Sequence, residues 1–255
     1  MKIMRNITVA FSMFSQIPMP RVAWNDENMR YMLCAFPLIG VVIGLCLWAW
    51  TGVCILLGIN MILFAAGMTL IPVAVTGGIH LDGFSDTVDA LSSHAAPEKK
   101  REILKDPHAG AFAVMGVCVY LLMYFALCTE LDINGRTVLM LALMHIFSRI
   151  LSGLAVLCFP SNAAKGMLTA FKEASAKKRA ASILFILLVL CMAGMLFADL
   201  LIGGAMILAA VISMIYLFIM SRSQFEGMSG DLAGYFHQIT ELAMLAMIVS
   251  VQLIR

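Results

Sequence analysis

The sequence predicts an all-α protein: a polytopic membrane helix bundle with about seven transmembrane helices and Asp-rich loops facing the cytoplasm. Three observations carry this expectation. The chain is 62% hydrophobic and 13% charged, about half the charged fraction of a soluble domain. Its mean hydropathy is +0.97. Apolar runs, several of about 18 residues or more, recur along its 255 residues, and each is long enough to cross a bilayer as a helix.

Residues Met1 to Arg21 are apolar but interrupted by Arg5, Asn6 and Gln16, and stopped by Pro18 and Pro20. The apolar core is short and lacks a small-residue cleavage site, so this stretch is expected to lie at the membrane surface as an amphipathic segment. Expected spans run from about Tyr31 to Leu57 and Met61 to Val75, the second with Pro72 near its end. They continue from Ala111 to Cys128, Val138 to Phe159, Ser182 to Ala198, Leu201 to Met220 and Ile239 to Leu253. No composition shift or long linker divides the chain, so residues 1–255 are taken as one integral-membrane domain.

Orientation follows from the basic residues. With the N-terminus in the cytoplasm, Lys2, Arg5, Arg21, Arg30, Lys99, Lys100, Arg101, Lys105, Lys165, Lys172, Lys177, Lys178, Arg179 and Arg222 all fall inside, fourteen of the 17. Arg136 and Arg255 fall outside and Arg149 lies within a span. That asymmetry predicts a multi-pass protein of the cytoplasmic (inner) membrane with its polar stretches on the cytoplasmic face. A net charge of +2 gives no argument for nucleic acid. The seven cysteines show no CxxC pair or metal-ligand spacing, and with the 21 methionines they read as packing residues.

Two polar stretches, residues 76–110 and 221–238, are the expected active-site loops. The first, TGGIHLDGFSDTVDALSSHAAPEKKREILKDPHAG, opens on Gly77 and Gly78 and places Asp82, Asp86 and Asp89 at spacings of four and three. In a helix these share one face, where three carboxylates repel each other. A divalent cation turns that cost into a binding site, and Mg²⁺ favours carboxylate oxygens shared with substrate phosphates. KKRE within PEKKREILK reads as the solvated face of a short helix starting at Pro97. Lys105 and Asp106 precede the turn at Pro107, where Asp106 is either a catalytic carboxylate or a helix cap.

The second stretch holds Ser229, Gly230 and Asp231 in EGMSGDLAG. Closely spaced glycines let a backbone approach a phosphate, and a neighbouring Asp can hold a bridging metal. Arg149, one turn after His145 in an apolar span, is either a structural ion pair or a guanidinium aimed at a phosphate.

GGIHLDGFSDTVDAL, EILKDPHAGAF and GMSGDLAG together resemble the membrane-bound cobalamin synthase family, the adenosylcobinamide-GDP ribazoletransferases, over essentially the whole chain. The early IPMP is similar to the family's TRIPxP-like start. Departures are Glu226 where glycine is usual, Ser229 where threonine is usual, Tyr235 where a small residue is usual, and His108 where arginine is frequent. The resemblance implies Mg²⁺-dependent joining of adenosylcobinamide-GDP to α-ribazole or its 5′-phosphate, with release of GMP. It implies catalytic roles for Asp82, Asp86, Asp89 and Asp106, and metal ligation by Asp82, Asp86, Asp89 and Asp231. Gly77, Gly78, His80, Lys105, Arg149, Ser229, Gly230 and Asp231 become the candidate substrate-binding residues.

Two other classes compete. Membrane alcohol-phosphate and prenyl diphosphate transferases also use Asp-rich loops and Mg²⁺, but DGF here lacks the Ala-Arg of the first pattern, and neither loop carries NDxxDxxxD. A cation transporter would want carboxylates near mid-membrane and internal repeats, and the acids here sit at one face. The bilayer is an expected partner, and Gly40, Gly44, Gly203 and Gly204 would permit close helix packing, including in a homo-oligomer.

Overall fold

The computed structural model describes residues 2–162 and 167–255. Its helices are α1 (Lys2–Phe14), α2 (Asp26–Met29), α3 (Met32–Ala35), α4 (Pro37–Leu57), α5 (Met61–Thr76), α6 (Ile79–Ser92) and α7 (Pro97–Ile103). They continue as α8 (Ala111–Thr129), α9 (Gly135–Cys158), α10 (Met167–Ala174), α11 (Lys177–Ala198), α12 (Leu200–Phe225) and α13 (Gly230–Ile254). Six of these, α4, α8, α9, α11, α12 and α13, are long and apolar enough to span a membrane. The break between α5 and α6 bends the chain by 96°. Counting α5 as a crossing gives seven, and α6 then turns aside at one end of the bundle.

Contacts between loops agree with seven crossings. At one end, Gln16 N donates to Val75 O at 2.9 Å, Ala176 N to Arg30 O at 3.2 Å, and Met228 N to Pro160 O at 2.7 Å. At the other, Asp199 receives Arg136 at 3.3 Å and the two Nη groups of Arg255 at 2.6 and 2.8 Å. Asp199 also accepts from Leu201 N and Ile202 N, capping the start of α12.

The core is built on α9, whose spanning window is 72% buried. It packs against α4, α11 and α13. Glycine permits the closest of these contacts. A Cβ on Gly40 would lie 2.5 Å from His145 O, and one on Gly44 would lie 2.6 Å from Ala142 Cβ. Gly203 is pressed in the same way against Met195 O, also at 2.5 Å. Three of the four glycines read as candidate oligomer contacts are thus used inside the chain. Lipid-facing residues such as Trp48, Leu122, Leu190 and Ile219 are exposed on the outer surface.

Three boundaries differ from expectation. The stretch 221–238 is not a loop: α12 continues to Phe225 and α13 begins at Gly230, leaving a four-residue turn. His237, Gln238 and Glu241 are polar yet buried inside the bundle, so hydropathy alone placed the last span nine residues too late. The basic loop from Pro160 to Ala181 contains α10, and α11 starts at Lys177. Lys165, assigned to that loop, lies outside the described residues. The stretch 76–110 is largely helical, with α6 carrying the aspartates as their spacing predicts.

Candidate active site

The site begins with a tight turn. Gly77 (φ +64°) and Gly78 (φ +78°) both adopt the left-handed conformation that ends α5 and starts α6. A side chain on Gly77 would also strike Gln16, which ties the end of α1 to the end of α5. Neither glycine lines the cavity described below. They produce the bend that sends α6 across the bundle end.

The second step is the crossing of α6 with α13. A Cβ on Gly83 would come within 2.8 Å of Asp231 Cα, and one on Gly234 within 2.9 Å of His80 O. Backbone therefore meets backbone, and Asp231 in the first turn of α13 is placed beside Asp82 and Asp86 on α6. Ser229 N-caps α13, its Oγ accepting from Leu232 N at 3.2 Å. Serine and threonine both perform this task, which accounts for the exchange at that position. The preceding turn is shaped by Glu226 (φ +58°) and Gly227 (φ +145°). The left-handed backbone at Glu226 suits the glycine usual there, and the Glu side chain is taken up in an ion pair with Arg101.

These elements enclose a cavity of about 810 Å³. Its polar wall is His80 and Asp82 from α6, Arg101 and Lys105 from the α7 region, and Ser229, Gly230 and Asp231 from the start of α13. The lining also has an apolar part, Met13, Phe14, Leu33, Phe36 and Phe171, and further polar residues, Ser152, Asn162 and Thr169. Six of the predicted residues, His80, Asp82, Lys105, Ser229, Gly230 and Asp231, are thus brought to one space from three separate segments.

Others are not. Asp86 does not line the cavity, and its carboxyl is pushed up to about 6 by burial and by the charges of Asp82, Asp231 and Asp89. Asp89 caps α8 across a helix pair: its Oδ1 accepts from Ala113 N at 3.3 Å, and it fills the space beside Gly110. A carboxylate so engaged is committed to a helix N-terminus. Asp106 is exposed and closes its own turn, accepting from His108 N at 3.0 Å with His108 Nδ1 2.8 Å away. Those hydrogen bonds hold its carboxyl below the usual range. Asp106 caps neither of the helices beside it, α7 ending at its C-cap Leu104 and α8 starting from its N-cap Gly110, and it does not line the cavity.

Arg149 is also absent from that wall. It is 1% exposed and donates to His145 O at 2.8 Å and Glu241 Oε1 at 3.0 Å. The same Oε1 lies 2.8 Å from His145 Nδ1, 2.8 Å from Ser148 Oγ and 2.9 Å from His237 Nε2. Of the two readings of Arg149, the structure shows the buried ion pair.

Sequence reading missed Arg101 and Lys100, both assigned to a solvated face. Lys100 is 4% exposed and donates to Gln224 Oε1, and Arg101 lines the cavity. The spacing of Arg101 and Lys105, four residues apart, was a usable signal. The apolar wall left no such signal, because its residues are ordinary core types drawn from α1, α3 and α10.

The donors suit a hard cation. Asp82, Asp86 and Asp231 offer only oxygen, and none forms an ion pair with a basic residue among the described residues. No three His, Cys, Asp or Glu side chains form a ready-made ion cluster among those residues. That combination fits a metal bound by one or two carboxylates together with substrate phosphates and water, the usual mode for Mg²⁺.

Fold and site thus define a polytopic membrane protein with a cavity at one end of its bundle whose lining includes Asp82, Asp231, Arg101 and Lys105. The sequence model of the Cobalamin-5-phosphate synthase family matches residues 6–249, and the chain belongs to that family. It is 39% identical over 251 residues, 98% of this chain and 95% of the relative, to the adenosylcobinamide-GDP ribazoletransferase of Lachnoclostridium phytofermentans. It is 32% identical over 230 residues to the protein of that name from Clostridium perfringens, covering 90% of this chain and 91% of the relative. With the one from Clostridium botulinum the figure is 30% over 236 residues, 91% of each chain. No solved structure matches the chain.

Proposed function

We propose that this chain catalyses the reaction its relatives are named for, joining adenosylcobinamide-GDP to α-ribazole or α-ribazole 5′-phosphate, with Mg²⁺ as cofactor and GMP as leaving group. A ribose hydroxyl of the acceptor attacks the phosphorus on the cobinamide side of the diphosphate. The new O–P bond forms as the bond to the GMP oxygen breaks. The observation that carries this reading is the α6–α13 crossing, where Gly83 and Gly234 let Asp82 and Asp231 reach one cavity beside Lys105.

Asp82 and Asp231 would hold the metal, with Asp86 beside them. When bound, Mg²⁺ supplies charge stabilisation to the diphosphate oxygens. Lys105 lines the same wall and supplies a further positive charge toward the departing phosphate. Arg101 already neutralises Glu226 and fixes the turn before Ser229. The backbone N–H groups at the start of α13, with Ser229 as cap, present the positive end of that helix dipole to phosphate. A carboxylate of the set accepts the hydroxyl proton. Membrane orientation follows the basic residues, with the cavity end in the cytoplasm, where nucleotides and Mg²⁺ are found.

The test uses purified protein in lipid supplied with both substrates. Mg²⁺-dependent release of GMP together with a cobalamin product is expected. Folded protein that releases no GMP would overturn the reading, and prenyl and lipid diphosphates would then be screened.

A further inference from the structure

The cavity has two unlike walls, and the proposed chemistry uses one of them. The second wall is apolar and aromatic. Phe14 and Phe36 have ring centroids 4.5 Å apart. Phe14 also lies nearly parallel to His80, with 6.2 Å between centroids and 25° between planes, and Phe36 is 5.4 Å from the same imidazole. Met13, Leu33 and Phe171 extend this surface. Phe36 and Phe171 are buried in packing, at 3% and 5% exposure. Phe14 is only half-buried and ends α1, held in place where Gln16 N meets Val75 O. An aromatic side chain delivered to a cavity rim by the first helix is more than the core requires.

On the proposed reaction, on which this inference rests, two substrates share the site. The cavity, at about 810 Å³, has the size of a pocket for one nucleotide-sized ligand. A corrin ring with its polar amide fringe matches neither its size nor its apolar wall. Guanine would need hydrogen-bond partners along its edge, which the lining residues Ser152, Asn162 and Thr169 can offer but the side chains of Met13, Phe14, Leu33, Phe36 and Phe171 cannot. The base of α-ribazole is a methylated benzimidazole, flat, apolar and without an N–H once glycosylated. We infer that the wall formed by α1, α3 and α10 is the subsite for the base of the acceptor nucleoside, with Phe14 as a specificity-determining residue that stacks on it. The ribose then points toward Asp82 and Asp231, and the corrin remains outside the cavity mouth.

Full-length protein in lipid is assayed for steady-state kinetics with each substrate varied in turn, comparing the wild type with Phe14→Ala and Phe14→Trp. Because Phe14 is half-buried, neither substitution empties the core, and thermal unfolding checks folding. For Phe14→Ala, KM for α-ribazole 5′-phosphate is expected to rise about tenfold or more, the scale of one aromatic–base contact. KM for adenosylcobinamide-GDP should stay within about twofold, and Phe14→Trp should retain most of the acceptor affinity. A second readout needs no turnover: benzimidazole fluorescence on binding α-ribazole to the metal-free protein should weaken by a similar factor in Phe14→Ala. A shift in KM for the donor instead, or no shift in either, would overturn the assignment. Wild-type protein that releases no GMP would refute the reaction itself, a result distinct from an active enzyme whose Phe14→Ala variant loses donor affinity.

Discussion

The chain holds two acidic centres, and they are built in opposite ways. Glu241 is 2% exposed, and a single oxygen faces two imidazoles, a hydroxyl and a guanidinium. Asp82, Asp86 and Asp231 lie at the bundle end with no basic side chain paired to them among the described residues, and the carboxyl of Asp86 is raised by burial and then by the charges of its acidic neighbours. Charge inside a bilayer must be neutralised by the protein itself, so the first centre is closed and structural. Repulsion at the second is tolerable beside water, and a bound cation relieves it. An acid in a membrane helix is therefore judged by whether its partner is already supplied, and by that measure Glu241 and Arg149 hold the bundle while Asp82 and Asp231 face the cavity.

Substitutions should separate the two centres. The largest effect is expected for Asp82→Asn, which should lower kcat/KM by about 10²–10³-fold, the scale of one electrostatic stabiliser, while thermal unfolding stays unchanged. Glu241→Gln should do the reverse. It leaves Arg149 charged and buried without its carboxylate, at a cost of about 3–5 kcal/mol, read as a fall in unfolding temperature in detergent. Gly83→Ala probes the crossing that joins the walls. Its Cβ would meet Asp231 backbone, and a displacement of about 1 Å should cost about a hundredfold in kcat without loss of fold.

Asp86→Asn should be milder and carry a pH signature. With its folded-state pKa raised to about 6 from an ordinary 3.8, the ionised carboxylate is disfavoured by folding, so stability falls as pH rises through that window. In the absence of divalent cation the Asn variant should therefore melt higher than wild type at pH 7.5. The advantage should shrink by pH 5 and amount to well under about 1 kcal/mol, since solvent screens a partly exposed group. Smallest of all, Asp106→Asn should change kcat/KM by less than about threefold, because its carboxylate serves its own turn with His108.

The helix count and the aspartate register were legible because both are periodic signals: apolar runs of spanning length, and acids at spacings that repeat on one helix face. Convergence of the two polar segments was legible as well, since both fall on the same side of the positive-inside pattern. The start of α13 was not. His237, Gln238 and Glu241 lower the hydropathy of its first turns, and only the fold shows that all three are buried inside the bundle, with Glu241 beside His145, Ser148, Arg149 and His237. Nor could spacing divide the acids by task. Asp89 keeps the register of Asp82 and Asp86 but meets the N-terminus of α8, a contact set by how α6 packs on α8. Gly77 and Gly78 were legible as a special turn, while their backbone role depends on φ values the sequence does not contain.

The most direct test measures GMP release by lipid-embedded protein given adenosylcobinamide-GDP and α-ribazole 5′-phosphate, with Mg²⁺ titrated from zero, for wild type and Asp82→Asn. Release by the wild type should rise from background with Mg²⁺ and saturate, while the folded variant stays near background at every concentration. Equal turnover by the two proteins, or turnover indifferent to Mg²⁺, would contradict the assignment of the α6–α13 acids as the metal-holding centre.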